Sequence, residues 1–351
     1  MSRRPLIRKN YTGAGRLKLI FQKIVYGKRG RTLTIPAFAE ETDFIPLWGN
    51  GAVQTLPESI DEERLLQLLE KNDLRGAGGG GYPAALKLRK VLAADCRAPV
   101  LIINAAECDP GLRHDGWILK NRKKEIEAVI ATLTRSLKLR KVYIAAGPEY
   151  GGSGFEGAVT AEVSSGYPAG EERRMLESVL GLSPDSYRYP SDLGIWVQNV
   201  QTILQIGDIL SGRRPVKYIT AVNLNEARAA VVECSPDEEI GPAARRAGLG
   251  DAELFAGGGI MQAGPADAAD SLSPEINLIA AGRAADFDGG KCLGCGSCSI
   301  HCPAGIDVQK TAAAVLDGVE IAAETARRCL SCGSCSYLCP AGIDLCSLIK
   351  N

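Results

Sequence analysis

Twelve cysteines occur in the 351 residues, and eight of them fall in one phrase written twice. Residues 292–307 read CLGCGSCSIHCPAGID and residues 329–344 read CLSCGSCSYLCPAGID, a C-x2-C-x2-C-x3-C-P run repeated at an offset of 37 residues. Three thiolates spaced two residues apart can wrap a tight loop around one face of an iron–sulfur cube, and Pro303 and Pro340 then turn the chain away. In chains that carry two such runs, the fourth cysteine of each ligates the other cluster. The spacing therefore predicts two [4Fe-4S] clusters, one held by Cys292, Cys295, Cys298 and Cys339, the other by Cys329, Cys332, Cys335 and Cys302. Structural zinc also favours C-x2-C pairs, but takes its four ligands as two pairs and not as a triplet with a distant fourth. A disulfide framework goes with secretion, and no secretory leader is apparent.

The other four cysteines, Cys96, Cys108, Cys234 and Cys346, read as small buried hydrophobes. Cys108 sits between Glu107 and Asp109, acids that raise a thiol pKa and so argue against a reactive group.

A second chemical feature is GAGGGGYP from Gly76 to Pro83. Gly76, Gly78 and Gly81 satisfy G-x-G-x-x-G, but the dinucleotide fingerprint should follow a strand, and this loop follows a helical pattern, IDEERLLQLL, at Ile60–Leu69. What survives is the physical use of glycine: bare backbone amides can approach an anion, at the N-terminus of a helix opened by Pro83. An anion or cofactor cradle is the functional reading, and a flexible turn the bland one. Pro99–Ala106 is then a continuous apolar run of the kind a buried parallel strand shows, ending in Glu107, Cys108 and Asp109. Polar residues there lie where open α/β sheets bind ligands.

These groups need a layered scaffold. The order is a helix from Asn121 to Leu137, a strand from Lys141 to Ala146, a β-like segment at Ala158–Ser164, a helix starting at Glu171 and Glu172 and stopping at Gly181, and a strand passing through Gln198 and Asn199 into a helix ending near Leu210. It predicts an α/β domain. Residues from about Val216 to Ala281 shift to short strands with one helical stretch, a small α+β unit for which a β-grasp arrangement is suited.

Forty-one basic and forty-one acidic residues give zero formal net charge, which points to no nucleic-acid partner. Ten of the basic residues precede Thr32 and the first acid is Glu40, so the N-terminal segment is a basic arm. Its stretch Gly15–Gly27 mixes Arg and Lys with Leu, Ile, Phe and Val and could dock on an acidic partner or an anionic membrane surface; a solvated terminus is the plain alternative. The longest largely apolar stretch, Ala98–Ala106, is far short of the roughly 20 residues of a membrane helix. The expected location is cytoplasmic, or peripheral to the inner face of the cell membrane through a partner.

Taken in order, GAGGGGYPAALK, NAAECDPG, YPAGEE, YPSDLGIWVQNVQT, AGGGIMQAG and the two cysteine runs resemble the C subunit of the Rnf electron-transport complexes, and with it the cobalamin reductases and the flavin-bearing subunit of respiratory complex I. The resemblance runs from about Glu58 to the C-terminus. It implies four parts: a basic arm and lead-in over 1–57, a Rossmann-like FMN and NADH domain over 58–214, a β-grasp, soluble-ligand-binding (SLBB) domain over 215–283 and an α-helical ferredoxin-type two-cluster domain over 284–351. It also implies that Gly76, Gly78, Gly79, Gly81 and Lys87 cradle the FMN phosphate, with Asn104, Glu107, Asp109, Gly170, Glu171, Glu172, Asn199 and Thr202 around the ribityl chain and ring. Asp109 falls where the complex I subunit has a Glu near the nicotinamide, and Ala106 where it has an Asp. The usual N-terminal lipoyl-like domain is replaced by the short arm, and the stretch between Gly147 and Ala158 is shortened where relatives carry a helix.

The implied function is electron transfer between NADH, through FMN, and a partner such as a ferredoxin, a flavoprotein or another redox subunit. An electron wire without NADH oxidation and a flavin-dependent corrinoid reductase are the alternatives. No acid/base residue is required, and His114 and His301 read as structural.

Overall fold

In the computed structural model the described residues are 21–26 and 31–36, as backbone, and 43–47, 55–95, 98–150, 154–164, 166–183, 189–226, 228–250, 252–282 and 290–350. Much of the basic arm, Cys96 and the junction expected at 283/284 lie outside them. Strands β1 (Phe21–Tyr26) and β2 (Arg31–Pro36) form an antiparallel hairpin, followed by β3 (Asp43–Ile45).

The α/β part begins with α1 (Glu62–Lys71), whose N-terminus is capped by Asp61 accepting from the amides of Glu63 and Arg64. Leu65, Leu66 and Leu69 form its buried stripe. After the glycine loop come α2 (Ala84–Leu92), β4 (Val100–Ala105), α3 (His114–Asn121), α4 (Lys123–Leu137), β5 (Lys141–Ala146), β6 (Val159–Glu162), α5 (Glu172–Leu180), β7 (Ile195–Asn199) and α6 (Val200–Leu210). The sheet is parallel in the order β6-β5-β4-β7. Helices α4 and α6 cross closely: a methyl on Gly207 would stand 2.6 Å from Val129 Cγ2. Between β5 and β6 the shortened stretch holds one 3-10 turn, Pro148–Tyr150. Helix α3 is not legible in the sequence because HDGWILKN carries no clear apolar period; it is packed through buried His114, Asp115, Gly116, Ile118 and Leu119.

The next unit contains β8 (Lys217–Asn223), β9 (Arg228–Cys234), α7 (Ile240–Arg246), β10 (Leu254–Gly257), β11 (Gly264–Ala266) and β12 (Leu278–Ala281). Its mixed sheet runs β11-β10-β12-β8-β9-β3, with β12–β8 and β9–β3 parallel. Asp43–Ile45, inside the segment read as arm and lead-in, is thus an edge strand of this sheet. The last unit is helical: α8 (Ser297–Ile300), α9 (Val308–Leu316), α10 (Ala323–Arg328), α11 (Ser334–Tyr337) and α12 (Leu345–Lys350). Among the described residues no helix is long and apolar enough to cross a membrane.

Candidate functional site

Strand order fixes where a ligand can enter. From β4 the chain steps outward to β5 and β6, then returns to place β7 on the other side of β4, so the sheet's switch point lies between β4 and β7. Connections diverge there and leave a crevice beyond the carboxyl ends of the two strands. Asn104 and Asn199 are register partners at that edge.

A cavity of about 630 Å³ occupies the crevice. Of the residues expected from the sequence, Gly78, Gly79, Asn104, Glu107, Asp109, Gly170, Glu171 and Asn199 line it. Gly76, Gly81, Lys87, Glu172 and Thr202 are not among the residues that line it. Gly76 closes the base of the loop through its amide to Tyr82 O at 2.9 Å, while the Thr202 hydroxyl accepts from the Ala77 amide at 2.9 Å. Asn277 donates to Ala77 O at 2.7 Å from the opposite side. Among the described residues the amides of Gly78, Gly79 and Gly80 have no hydrogen-bond acceptor, which leaves them for an anion. Gly79 has φ +89 and Gly81 φ +56, left-handed conformations that favour glycine. Lys87 brings a cation beside the loop, paired with Glu172 at 3.1 Å.

Around the rest of the cavity the polar groups hold one another in place. Asn104 donates to Gly170 O (2.9 Å), and Asn199 accepts from the Gln201 amide at the start of α6 and donates to Asp115 Oδ2 (2.8 Å). Glu171 caps α5 by accepting from the Arg174 amide and pairs with Arg173 at 3.1 Å. Glu107, at φ +34, accepts from the amides of Asp115 (2.8 Å) and Gly116 (3.0 Å) and so caps α3. Burial and the neighbouring Asp115 raise the Glu107 carboxyl to about 8, and burial raises Asp115 as well. Burial pushes the Cys108 thiol up to about 12, and it accepts from the Gly170 amide. His114 is held neutral by burial and Lys217, with Nδ1 3.0 Å from the Thr220 hydroxyl. His301 packs its ring against Ser297 O. The structural reading of Cys108 and both histidines therefore agrees with their surroundings.

Asp109 spends its carboxylate on backbone. Oδ1 accepts from Gly111 (3.1 Å) and Ile260 (2.9 Å), and Oδ2 accepts from Met261 (3.4 Å), joining the α/β sheet to the following unit. Burial raises the Asp109 carboxyl, and leaving a buried amide without its acceptor costs roughly 1–3 kcal/mol. Asp109→Ala is expected to lower the thermal midpoint by about 5 °C or more, read by calorimetry, because it strands buried amides.

A pH dependence follows from the raised carboxyls of Glu107 and Asp115. In the unfolded chain both titrate near pH 4, so between there and about pH 8 the folded state holds more protons. Stability contributed by these groups is fully present below pH 4 and is lost as pH rises toward 8. Asp115→Asn removes one of them and is expected to raise the midpoint of the flavin-free protein at pH 8 by roughly 2 °C or more, flattening the profile. An unchanged slope would contradict the assignment.

Sequence reasoning misses part of this wall. Asp115 is hidden because nothing in the sequence marks α3, and Asn277 lies in no motif; Tyr167, Gly258 and Gln262 fall within YPAGEE and AGGGIMQAG but are not picked out there as site residues. Two buried atoms of lining residues, Asp115 Oδ1 and Asn277 Oδ1, have no hydrogen-bond partner. With the open amides they fit a ligand that carries an anion and several hydrogen-bonding groups, as a flavin mononucleotide does.

The second cysteine run lies against the same cavity. Leu330, Ser331, Cys332 and Gly333 line it, the Tyr167 hydroxyl donates to Cys332 O at 2.5 Å, and Gln262 donates to Ser331 O at 2.5 Å. Gly333 has no room for a side chain: a methyl there would overlap Met261 O. A second cavity, about 430 Å³, is lined by Cys292, Cys295, Cys298 and Cys339, the set the crossed ligand pattern requires. Among the described residues no three metal-binding side chains converge at ligand spacing; the four thiols share the cavity, which fits a cubane in size and donor type.

Known proteins match in the same two places. Residues 69–208 match the family model described as the Nuo51 FMN-binding domain, and residues 291–343 that of the 4Fe-4S dicluster domain. Fold and site thus define the class, a flavin and iron–sulfur electron-transport protein whose cofactors are FMN and [4Fe-4S] clusters. Within that class the chain is similar to the C subunits of ion-translocating oxidoreductase complexes. It is 28% identical over 181 residues to the C subunit of the ion-translocating oxidoreductase complex of Rhodobacter capsulatus, across 48% of this chain and 34% of that one. It is 25% identical over 175 residues to the C subunit of the proton-translocating ferredoxin:NAD(+) oxidoreductase complex of Clostridium ljungdahlii, across 47% and 38%. The chain therefore spans about a third of the length of these relatives. Its fold is shared with an NAD+-reducing [NiFe]-hydrogenase solved in the air-oxidized state, at a TM-score of 0.56 and 20% identity over 75% of this chain and 54% of that one.

Proposed function

We propose that the chain passes electrons between NADH, through FMN, and a partner redox protein, by way of two [4Fe-4S] clusters. One observation carries this reading: the cavity at the β4/β7 switch point is bounded on one side by Gly78, Asn104 and Glu107 and on the other by the Cys332 loop, so flavin and second-run cluster would be neighbours. FMN, when bound, supplies the conversion between two-electron and one-electron chemistry. The protein's part is placement. The amides of Gly78–Gly80 and Lys87 hold the phosphate, Asn104 and Asn199 orient the ring end, and Asp115 Oδ1 and Asn277 Oδ1 take hydrogen bonds. The remaining residues inferred from the family, Gly76, Gly81, Gly170, Glu171, Glu172 and Thr202, shape or brace that cradle. The mixed sheet closing it is read as the β-grasp, soluble-ligand-binding domain, and the helical unit as ferredoxin-type. The electron acceptor or donor is a further redox subunit, ferredoxin or flavoprotein, on the cytoplasmic side, with the basic arm available for a peripheral membrane contact.

A second reading is favoured by Asp109. The family likeness sets this residue near the nicotinamide, yet both its oxygens accept backbone amides. An electron wire reduced by another subunit needs no nicotinamide contact.

The absorbance of anaerobically purified protein separates the two. Under the first reading a flavin band is present and NADH bleaches it within seconds; a flavin that only dithionite bleaches would support the wire, and clusters without extractable FMN would refute the flavin reading.

A further inference from the structure

The two cysteine runs are not equivalent in their surroundings. Beside the first triad, the 37-residue offset puts Gln309 in the place that Cys346 occupies beside the second. Gln309 lines the cavity of Cys292, Cys295, Cys298 and Cys339 and approaches Gly294 and Gly296 of that loop. The same position in the second half therefore faces the second triad, with a thiol in place of an amide. The packing bears this out: Cys346 lies in the same apolar cluster as Cys329 and Cys335, and it lines a cavity together with Cys332, so this fifth thiol sits among the triad ligands. Its backbone is fixed, the Cys346 amide donating to Ser336 Oγ at 2.8 Å while that hydroxyl donates to Asp344 at 2.9 Å. Cys302, the crossed ligand expected for the second cluster, accepts from the Ile306 amide at 3.4 Å and packs in the same apolar cluster.

We propose that Cys346 is a fifth thiol of the second-run iron–sulfur site, able to ligate iron in place of Cys302. The inference rests on the two-cluster reading. A cubane iron that loses one thiolate can take another within reach without a change in cluster charge, because the incoming thiol releases its proton as it binds. No oxidant or reductant is needed. The first-run site, with Gln309 at the corresponding place, has no such substitute.

Iron and acid-labile sulfide analysis and low-temperature electron paramagnetic resonance of the anaerobically purified, dithionite-reduced full chain test this. The wild-type chain is expected to hold about eight irons. Cys302→Ala is expected to keep about eight with an altered second-run signal, while Cys302→Ala with Cys346→Ala falls to about four. A fall to about four in Cys302→Ala alone would overturn the proposal. The first-run signal, whose thiols are untouched, reports on folding. Should the double variant lose both signals, Cys346→Ala alone decides: an altered second-run signal beside an intact first-run signal supports the proposal, and two unchanged signals refute it. About four irons in the wild type would instead refute the two-cluster reading itself, a result distinct from the others because it needs no variant.

Discussion

Cys339→Ala is expected to abolish the cluster of the first run, not that of its own run. Cys339 lines the cavity of Cys292, Cys295 and Cys298, although it is the last cysteine of the second phrase. Removing it leaves three thiols for one iron–sulfur cube, and with Gln309 in the place of Cys346 no further thiol among the described residues lines that cavity. Iron content should fall from about eight to about four per chain, and the surviving resonance should be that of the second-run site. Each run alone would hold a complete cluster if ligands were not shared; damage confined to the second-run signal would establish that arrangement and exclude the crossed one.

Gly79→Val should empty the flavin cavity. The backbone at Gly79 has φ +89, where a β-branched residue is a steric outlier, and strain of this kind costs roughly 1–3 kcal/mol. The side chain would also project at the cavity wall, where Gly258 Cα already lies 3.9 Å from the added carbon. Since about 1.4 kcal/mol is tenfold in affinity, strain and lost space together should weaken FMN binding by at least about a hundredfold. Flavin fluorescence after acid release would read this as less than about a tenth of the wild-type content. The first-run iron signal should be unchanged, because the cavity of Cys292, Cys295, Cys298 and Cys339 is formed by other segments. Full flavin occupancy in the variant would show that the loop does not cradle the phosphate.

What the chain reveals in advance follows from how local each signal is. The helix Glu62–Lys71 announces itself because its apolar positions repeat at the helical period, and the strand Val100–Ala105 because it is a continuous apolar run. The cysteine runs are legible for a different reason: a cube fixes ligand spacing within a few residues. Gly78 can be singled out as a glycine of the G-x-G-x-x-G loop, and Asn104 and Asn199 through the family resemblance, which sets them at the carboxyl edge of the sheet. Asp109, expected near a ligand, instead ties two units together, since nothing in NAAECDPG encodes the Ile260 and Met261 amides 151 and 152 residues away. Asp115 and Asn277 become visible only in three dimensions for the same reason. Cys346 looks like an ordinary buried hydrophobe, because its neighbours on the second triad come from a separate turn of the chain.

Strand β3 has a mechanical consequence. Because Asp43–Ile45 pairs with Ala230–Val232, the small mixed sheet is built from chain on both sides of the flavin-type domain. The latter is therefore an insertion, spliced between two strands of one neighbour and anchored at both its entrance and its exit. A domain on one linker can swivel freely, but one on two crossings has lost most of its rotational freedom. That double tether restrains how the α/β part can turn against the unit whose Gly258 and Gln262 line the same cavity.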